Sequence, residues 1–221
     1  MSGSATLSAA LDALGLVELG AFHPEPADGV PGDPATLVLV GNAGPAMWNA
    51  FSAQRPVGAD PLDRWIEARL DTLAGEFGAT ALFPFGGPPW LPFQRWAQRA
   101  GPVRPSPLGI LIHPEYGLWH AYRGAFAFSD RLDLPSPDRR PSPCDACADK
   151  PCLSACPVGA FSAAAGYDVP ACAAHLATAA GTDCNDLGCR ARRACPVGRS
   201  FTYLPAQAAF HMAAFRSAQN G

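Results

Sequence analysis

The chain has 221 residues, 48% hydrophobic and 16% charged, the composition of a globular protein long enough to bury a sizeable core. A net charge of −3 supplies no strong pull toward nucleic acid or an anionic membrane, so neither is expected as a partner. No run approaches the ~18 apolar residues of a membrane span. The opening MSGSATLSAALDALGLVELG lacks a signal peptide's basic stretch and cleavage pattern, so a cytoplasmic location is expected.

ATLVLVGN (35–42) is a short apolar run with β-branched residues and reads as a buried strand. PAMWNAFSAQ (45–54) sets Met47, Trp48 and Phe51 at helical spacing. DPLDRWIEARLDTLAGEFG (60–78) is the clearest helix. Asp60 is expected as its N-cap, with Pro61 in the first turn and Asp63 at the positive end of the dipole. Leu62, Ile66, Leu70 and Leu73 share one face, and Gly75 or Gly78 ends the element. A strand over 79–85 and a helix over 91–101 stopped by Gly101 follow. LGILIHP (108–114) and LWHAYRGAFAF (118–128) read as two strands joined by the turn PEYG. Residues 1–131 are therefore expected to form an α/β (α+β) domain, a mixed sheet flanked by helices. The Pro-rich stretch 132–143 reads as a linker, because proline holds itself and its predecessor extended. Residues 201–221 are expected to form a helix that packs Phe210, Ala213 and Ala214 back on the body.

All eight cysteines fall between Cys144 and Cys195. A disulfide scaffold spreads its cysteines over the fold that it staples, whereas a confined cluster reads as a metal site. The first block is Cys144-x2-Cys147-x4-Cys152-x3-Cys156-Pro157. The second holds Cys172, then Cys184-x4-Cys189-x5-Cys195-Pro196, and both blocks end in CPVG. A [4Fe–4S] cube needs one thiolate on each iron, and three close cysteines cover three corners. In two-cluster ferredoxins the cysteine before proline ligates the other cluster. Applied here, Cys144, Cys147, Cys152 and Cys195 hold one cluster, and Cys156, Cys172, Cys184 and Cys189 the other. Two zinc sites would use the same number of thiols, but zinc favours paired CxxC knuckles, and only Cys144 and Cys147 make one. Residues 144–200 are accordingly read as a module for two [4Fe–4S] clusters.

Segment 144–198 resembles the dicluster ferredoxin module of epoxyqueuosine reductases and reductive dehalogenases. YDVPACAAHL around Cys172 is similar to their single-cysteine segment between the blocks. In those families the module feeds electrons to cobalamin held by a nitroreductase-like domain. PGDPATLVLVGNAGPAMWNAF, ADPLDRWIEARLDTL and LGILIHPEYGLWHAYRGAF look like CblC-type cobalamin-processing proteins, whose fold is also nitroreductase-like. His113, Pro114, Gly117, Trp119, Arg123 and Gly124 fall on that family's most specific block, and Asp60, Pro61 and Asp63 on a second one. The resemblance implies cobalamin near His113, Gly117, Trp119 and Arg123. The pattern departs where Gln98 stands in place of a family histidine, and where the loop at FGGPPW is short.

Each of these residues also has a plainer reading. His113 before proline suits a turn or core histidine, Trp119 and Tyr122 suit packing, and Arg123 suits a buried ion pair. His175 suits a structural role, and Arg190, Arg192 and Arg193 either a solvated face or a counterweight to cluster charge. The expected activity is reduction of a corrinoid in the N-terminal domain, with possible loss of its upper ligand. Its electrons come through the clusters from an external donor, a reductase, ferredoxin or flavodoxin. The alternative is a ferredoxin-type carrier whose N-terminal domain docks a partner protein and binds no corrinoid. FMN is the weaker expectation, since no Arg/Ser/Asn phosphate cradle stands out in 1–60.

Overall fold

Apolar runs and amphipathic stretches alternate through the first half of the chain. A computed structural model, which describes residues 3–162 and 166–219, resolves them into helices α1 (Gly3–Asp12), α2 (Ala46–Ala53), α3 (Pro61–Phe77) and α4 (Phe93–Ala100) and strands β1 (Val17–Phe22), β2 (Thr36–Ala43), β3 (Ala79–Leu82), β4 (Arg104–Pro105), β5 (Leu111–Ile112) and β6 (His120–Phe128). The second half is built of short pieces: α5 (Pro151–Ser154), β7 (Phe161–Ser162), β8 (Gly166–Tyr167), α6 (Val169–Leu176), α7 (Thr182–Leu187) and α8 (Arg190–Arg193). A longer helix, α9 (Pro205–Ala218), closes the described chain. The architecture is thus mixed helix and sheet. Among the described residues no helix is long and apolar enough to cross a membrane.

The chain divides into two compact units. One comprises residues 1–102 with 120–140, the other 103–119 with 141–221. The first unit carries a four-stranded sheet of order β1-β2-β6-β3. Every pairing in it is antiparallel, so the mixed sheet expected from sequence is corrected to an antiparallel one. A parallel pair would need a crossover connection, and β2 and β6 instead run oppositely over their whole length. β2 is buried from Thr36 to Asn42, which explains its uninterrupted apolar run. Helix α3 buries Leu62, Trp65, Ile66, Leu70, Leu73 and Ala74, one apolar stripe at helical spacing. Met47, Trp48 and Phe51 of α2 are buried as well. Trp96 of α4 is fully buried, and its Nε1–H donates to the Asp28 carbonyl at 2.9 Å.

Two close approaches in this sheet, one to a side chain and one to backbone, leave room only for glycine. A Cβ on Gly124 would stand 2.4 Å from Leu70 Cδ1, and one on Gly41 2.1 Å from the Ala121 carbonyl oxygen. The β2–β6 register shifts where Val40 pairs with Gly124 but Gly41 with Tyr122. Arg123 is therefore the extra residue of a β-bulge, a device that redirects a side chain.

The second unit surrounds its cysteines with a small core. Leu108, Ile112, Leu118, Phe161, Ala191 and Cys195 are buried together, with Cys144, Cys152, Cys156 and Cys189 half-buried against them. The segment 103–119 belongs here and not to the first domain, as the boundaries 1–131, 132–143 and 144–200 had it. The reason is burial: Leu108, Ile112 and Leu118 find their apolar partners among the cysteine segments. The expected strand over 108–114 shrinks to β5, which pairs with β4 and not with β6. The PEYG turn is closed by a bridge between His113 and Gly117.

Other boundaries move for local reasons. Asp60 precedes α3 but has a left-handed backbone, φ 45°, and its side chain makes no capping bond. Gly78, not Gly75, terminates α3 in the left-handed conformation that glycine adopts freely. The C-terminal helix starts at Pro205, and it buries Gln207 and Ala208 while Ala213 and Ala214 are exposed. Residues 220 and 221 of that expected helix lie outside the described residues. Gly124→Ala is expected to lower the stability of the first unit by about 1–3 kcal/mol through overpacking against Leu70; urea denaturation followed by circular dichroism checks this.

Candidate metal centre

The eight thiols are all free of disulfides, and the loops gather them into two sets. In the first block Pro151 opens α5 and places Cys152 in its first turn. Lys150, in a left-handed backbone with φ 40°, turns its ammonium onto the loop before it, donating to the carbonyls of Cys147 at 3.1 Å and Cys144 at 3.4 Å. Burial, then the charges of Cys195 and Cys147, push the Cys144 thiol up, against Ser142 and Lys150. Cys152 is raised by burial and then by Cys195, Cys144 and Cys147. Cys195 is raised by burial and by Cys147, while the Val197 amide and Arg199 favour its thiolate. Cys144, Cys147, Cys152 and Cys195 are thus mutual electrostatic neighbours.

The second set assembles on later elements. Asp168 caps α6, accepting the Ala171 N–H at 2.9 Å, and so fixes the turn that carries Cys172. Cys184 lies on α7, and Cys189 immediately precedes α8. The Ala160 N–H donates to Cys156 Sγ at 3.3 Å. Burial pushes the Cys189 thiol up, against the amides of Arg192 and Ala191, and the charges of Cys172 and Cys184 add to the rise. Cys172 is raised by burial and then by Cys156 and Cys184, while the nearby Tyr167 hydroxyl lowers it. Cys156, Cys172, Cys184 and Cys189 line one cavity together with Phe161, His175 and Met212.

The residues present fit a cluster in this cavity. Four thiols face it, backbone amides donate to sulfur as they do around iron–sulfur centres, and His175 Nε2 is buried with no partner among the described residues. Among those residues no three His, Cys, Asp or Glu side chains are grouped to hold a single metal ion, a spacing that a cube with one thiolate per iron does not require.

The other candidate residues are divided. His113, Gly117 and Trp119 belong to the second unit and Arg123 to the first. His113 Nδ1 accepts the N–H groups of Glu115 at 3.1 Å and Tyr116 at 3.2 Å, and its ring stacks on Tyr116 at 4.3 Å. Gly117 has φ 57°, and a Cβ there would stand 2.1 Å from the Val197 carbonyl oxygen. Gly198 repays the approach, its missing Cβ leaving room for the Tyr116 carbonyl. The PEYG turn thus rests backbone to backbone on the second CPVG turn, which carries Cys195. Trp119 is buried edge-on to Tyr203 at 5.4 Å. Arg192 lies over both rings, 4.7 Å from Trp119 and 4.5 Å from Tyr203, and its Nε donates to the Leu118 carbonyl at 2.9 Å. Arg190 and Arg193 both pair with Asp183. The basic run therefore spends its charge on an aromatic pair and one carboxylate.

In the first unit Arg123 Nε donates to Asn42 Oδ1 at 2.9 Å. Asp63 is its electrostatic neighbour: burial pushes the Asp63 carboxyl up, the Arg123 charge opposes this, and Asp60 and Glu67 add to the rise. Burial also pushes the Tyr122 hydroxyl up, and it has no partner among the described residues. Spacing gave no signal for the approach of Gly117 to Val197 or for the Arg192 stack, because each joins segments distant in the chain.

No family model and no curated protein matches this chain. The chemistry is read from the thiols themselves.

Arg192→Lys is expected to destabilise the second unit by about 1–3 kcal/mol in urea denaturation, because an ammonium cannot stack on two rings and reach a carbonyl as a planar guanidinium does. Asp63 has a folded pKa above its unfolded one, so its contribution to stability is full below the unfolded value and is lost as pH rises through the folded one. The stability of Asp63→Asn relative to the unsubstituted protein should rise between about pH 3 and pH 7, read from denaturant midpoints at each pH.

Proposed function

We propose that the protein is an iron–sulfur redox protein that takes electrons from an external donor and passes them on. The observation that carries this reading is the gathering of eight thiols into two sets of four, each drawing one CP cysteine from the opposite block. When bound, [4Fe–4S] clusters supply one-electron storage and transfer. Cys144, Cys147, Cys152 and Cys195 hold one, and Cys156, Cys172, Cys184 and Cys189 the other. The apolar core of Leu108, Ile112, Leu118 and Phe161 keeps water from the sulfurs. Amides of Ala160, Ala191, Arg192 and Val197 orient and partly neutralise them. A reductase, ferredoxin or flavodoxin is the class of donor this chemistry calls for.

The acceptor that the resemblance implies is a corrinoid in the first unit, where Arg123, Asn42 and Asp63 form the polar group nearest that expectation. Specific observations favour a second reading, a ferredoxin-type carrier whose first unit docks a partner protein. His113, Gly117 and Trp119 are engaged in packing the second unit, and Arg123 has partners of its own. No step through a corrinoid is derived from these residues.

Two measurements test these readings. Anaerobically reconstituted protein should hold about eight irons and eight sulfides per chain. Cys195→Ser and Cys172→Ser should each lose about half of that while retaining one cluster signal by electron paramagnetic resonance. Zinc with neither iron nor sulfide in protein made without oxygen would end the iron–sulfur reading. Cobalamin added to the loaded protein separates the acceptors: altered corrin absorption bands on mixing or reduction support the corrinoid, and unaltered bands leave the electron carrier.

A further inference from the structure

The wall of the second thiol cavity contains two polar side chains that are not thiols, His175 and Arg190. Arg190 is engaged by Asp183, Nε to Oδ2 at 2.6 Å. His175 differs: its Nε2 is buried and has no hydrogen-bond partner among the described residues. It follows Cys172 by three positions on α6, so the two share a helix face, and both line the cavity. Besides the thiols the wall is apolar, with Val158, Phe161, Leu176, Ala191 and Met212. The helix end that carries His175 is held on several sides. The His175 carbonyl accepts the Thr178 N–H at 3.0 Å and the Thr178 hydroxyl at 2.8 Å. Asn185 Nδ2 donates to the next carbonyl, that of Leu176, at 2.9 Å. A Cβ on Gly181 would stand 2.4 Å from the His175 carbonyl oxygen, so the following turn is pressed against the same residue.

We propose that His175 is the donor that tunes the second cluster: its Nε2–H donates to a sulfur of that cluster and raises its reduction potential while leaving the first cluster's unchanged. This deepens the iron–sulfur reading above and rests on it. A buried polar nitrogen without a partner is costly, and such an atom in a native wall calls for an explanation. Sulfur is the acceptor that this wall and its cargo offer, and the neutral imidazole with its proton on Nε2 is the tautomer that answers it. The reduced state of a cluster carries one more negative charge than the oxidised state, so a donor at one of its sulfurs favours the reduced state. The step involved is addition of one electron from an external reductant; no bond is made or broken, and the imidazole keeps its proton. The two clusters thereby acquire different potentials through a residue that is not a ligand.

The experiment is a redox titration of the reconstituted full chain with dithionite, monitored by electron paramagnetic resonance. His175→Phe keeps a ring in the wall and removes the donor. One of the two midpoints should move to more negative potential and the other stay, at unchanged iron and sulfide content. The midpoint that moves should belong to the signal that Cys172→Ser changes. A second arm uses the unsubstituted chain, grown with 15N-histidine, reduced, and read by pulsed electron paramagnetic resonance. A nitrogen coupling is expected on that same signal. This arm stands on its own if the Phe variant loads poorly. Midpoints that do not move, midpoints that move together, or a second-cluster signal without nitrogen coupling overturn the proposal. Any of these in protein with both clusters loaded defeats this inference alone; absence of iron and sulfide from the unsubstituted protein defeats the reading beneath it.

Discussion

The second unit is organised around a repulsion. Burial raises the proton affinity of Cys144, Cys152, Cys172, Cys189 and Cys195, and the charges of neighbouring thiolates in the same set raise it further. Metal ligands must be deprotonated, so such a set is poorly disposed to ionise until a cation shares its charge. Backbone amides at Cys156, Cys189 and Cys195 and the ammonium of Lys150 reduce the repulsion locally. The surrounding core is small and closely tied to the sulfurs, with Cys195 itself among its buried members. On the iron–sulfur reading, loading and folding of this unit are therefore coupled.

Much of the first unit was legible because its elements are long and their periods unmixed. The β2 run, the apolar face of α3 and its glycine stop follow from pattern alone. Helix α1 and strand β1 were not foreseen. Leu7 and Leu11 are buried in an otherwise small-residue stretch, and β1 contains Gly20 at φ 114° and a register irregularity that breaks its alternation. The run LGILIHP looked like a strand of the main sheet because its composition suits one. What decided its place was the apolar partners that Leu108, Ile112 and Leu118 find among the cysteine loops, and no local pattern carries that information.

The cysteines were the most legible part of the candidate site, since thiol spacing and CP endings reflect short-range geometry. Their environment was not. Gly117 and Gly198 give way to each other's neighbouring backbone across an 81-residue separation, and Arg192 is held by two rings from different segments. The block His113–Trp119 carried the resemblance to cobalamin-processing proteins, yet its histidine, glycine and tryptophan have packing partners that account for them. Arg123 differs in that a bulge directs it toward Asn42.

The chain leaves the first unit after Pro102, contributes 103–119 to the second, returns for β6 and departs again after Arg140. The units are consequently threaded through one another in sequence, with three covalent crossings between them. A truncation that begins at Pro141 keeps every cysteine but strips Leu108, Ile112 and Leu118 from the core beside them. The complementary fragment ending at Pro102 forfeits β6, the strand that lies between β2 and β3. Neither piece is a transferable cassette, and gene duplication or fusion could exchange these units only by carrying the 103–119 excursion along.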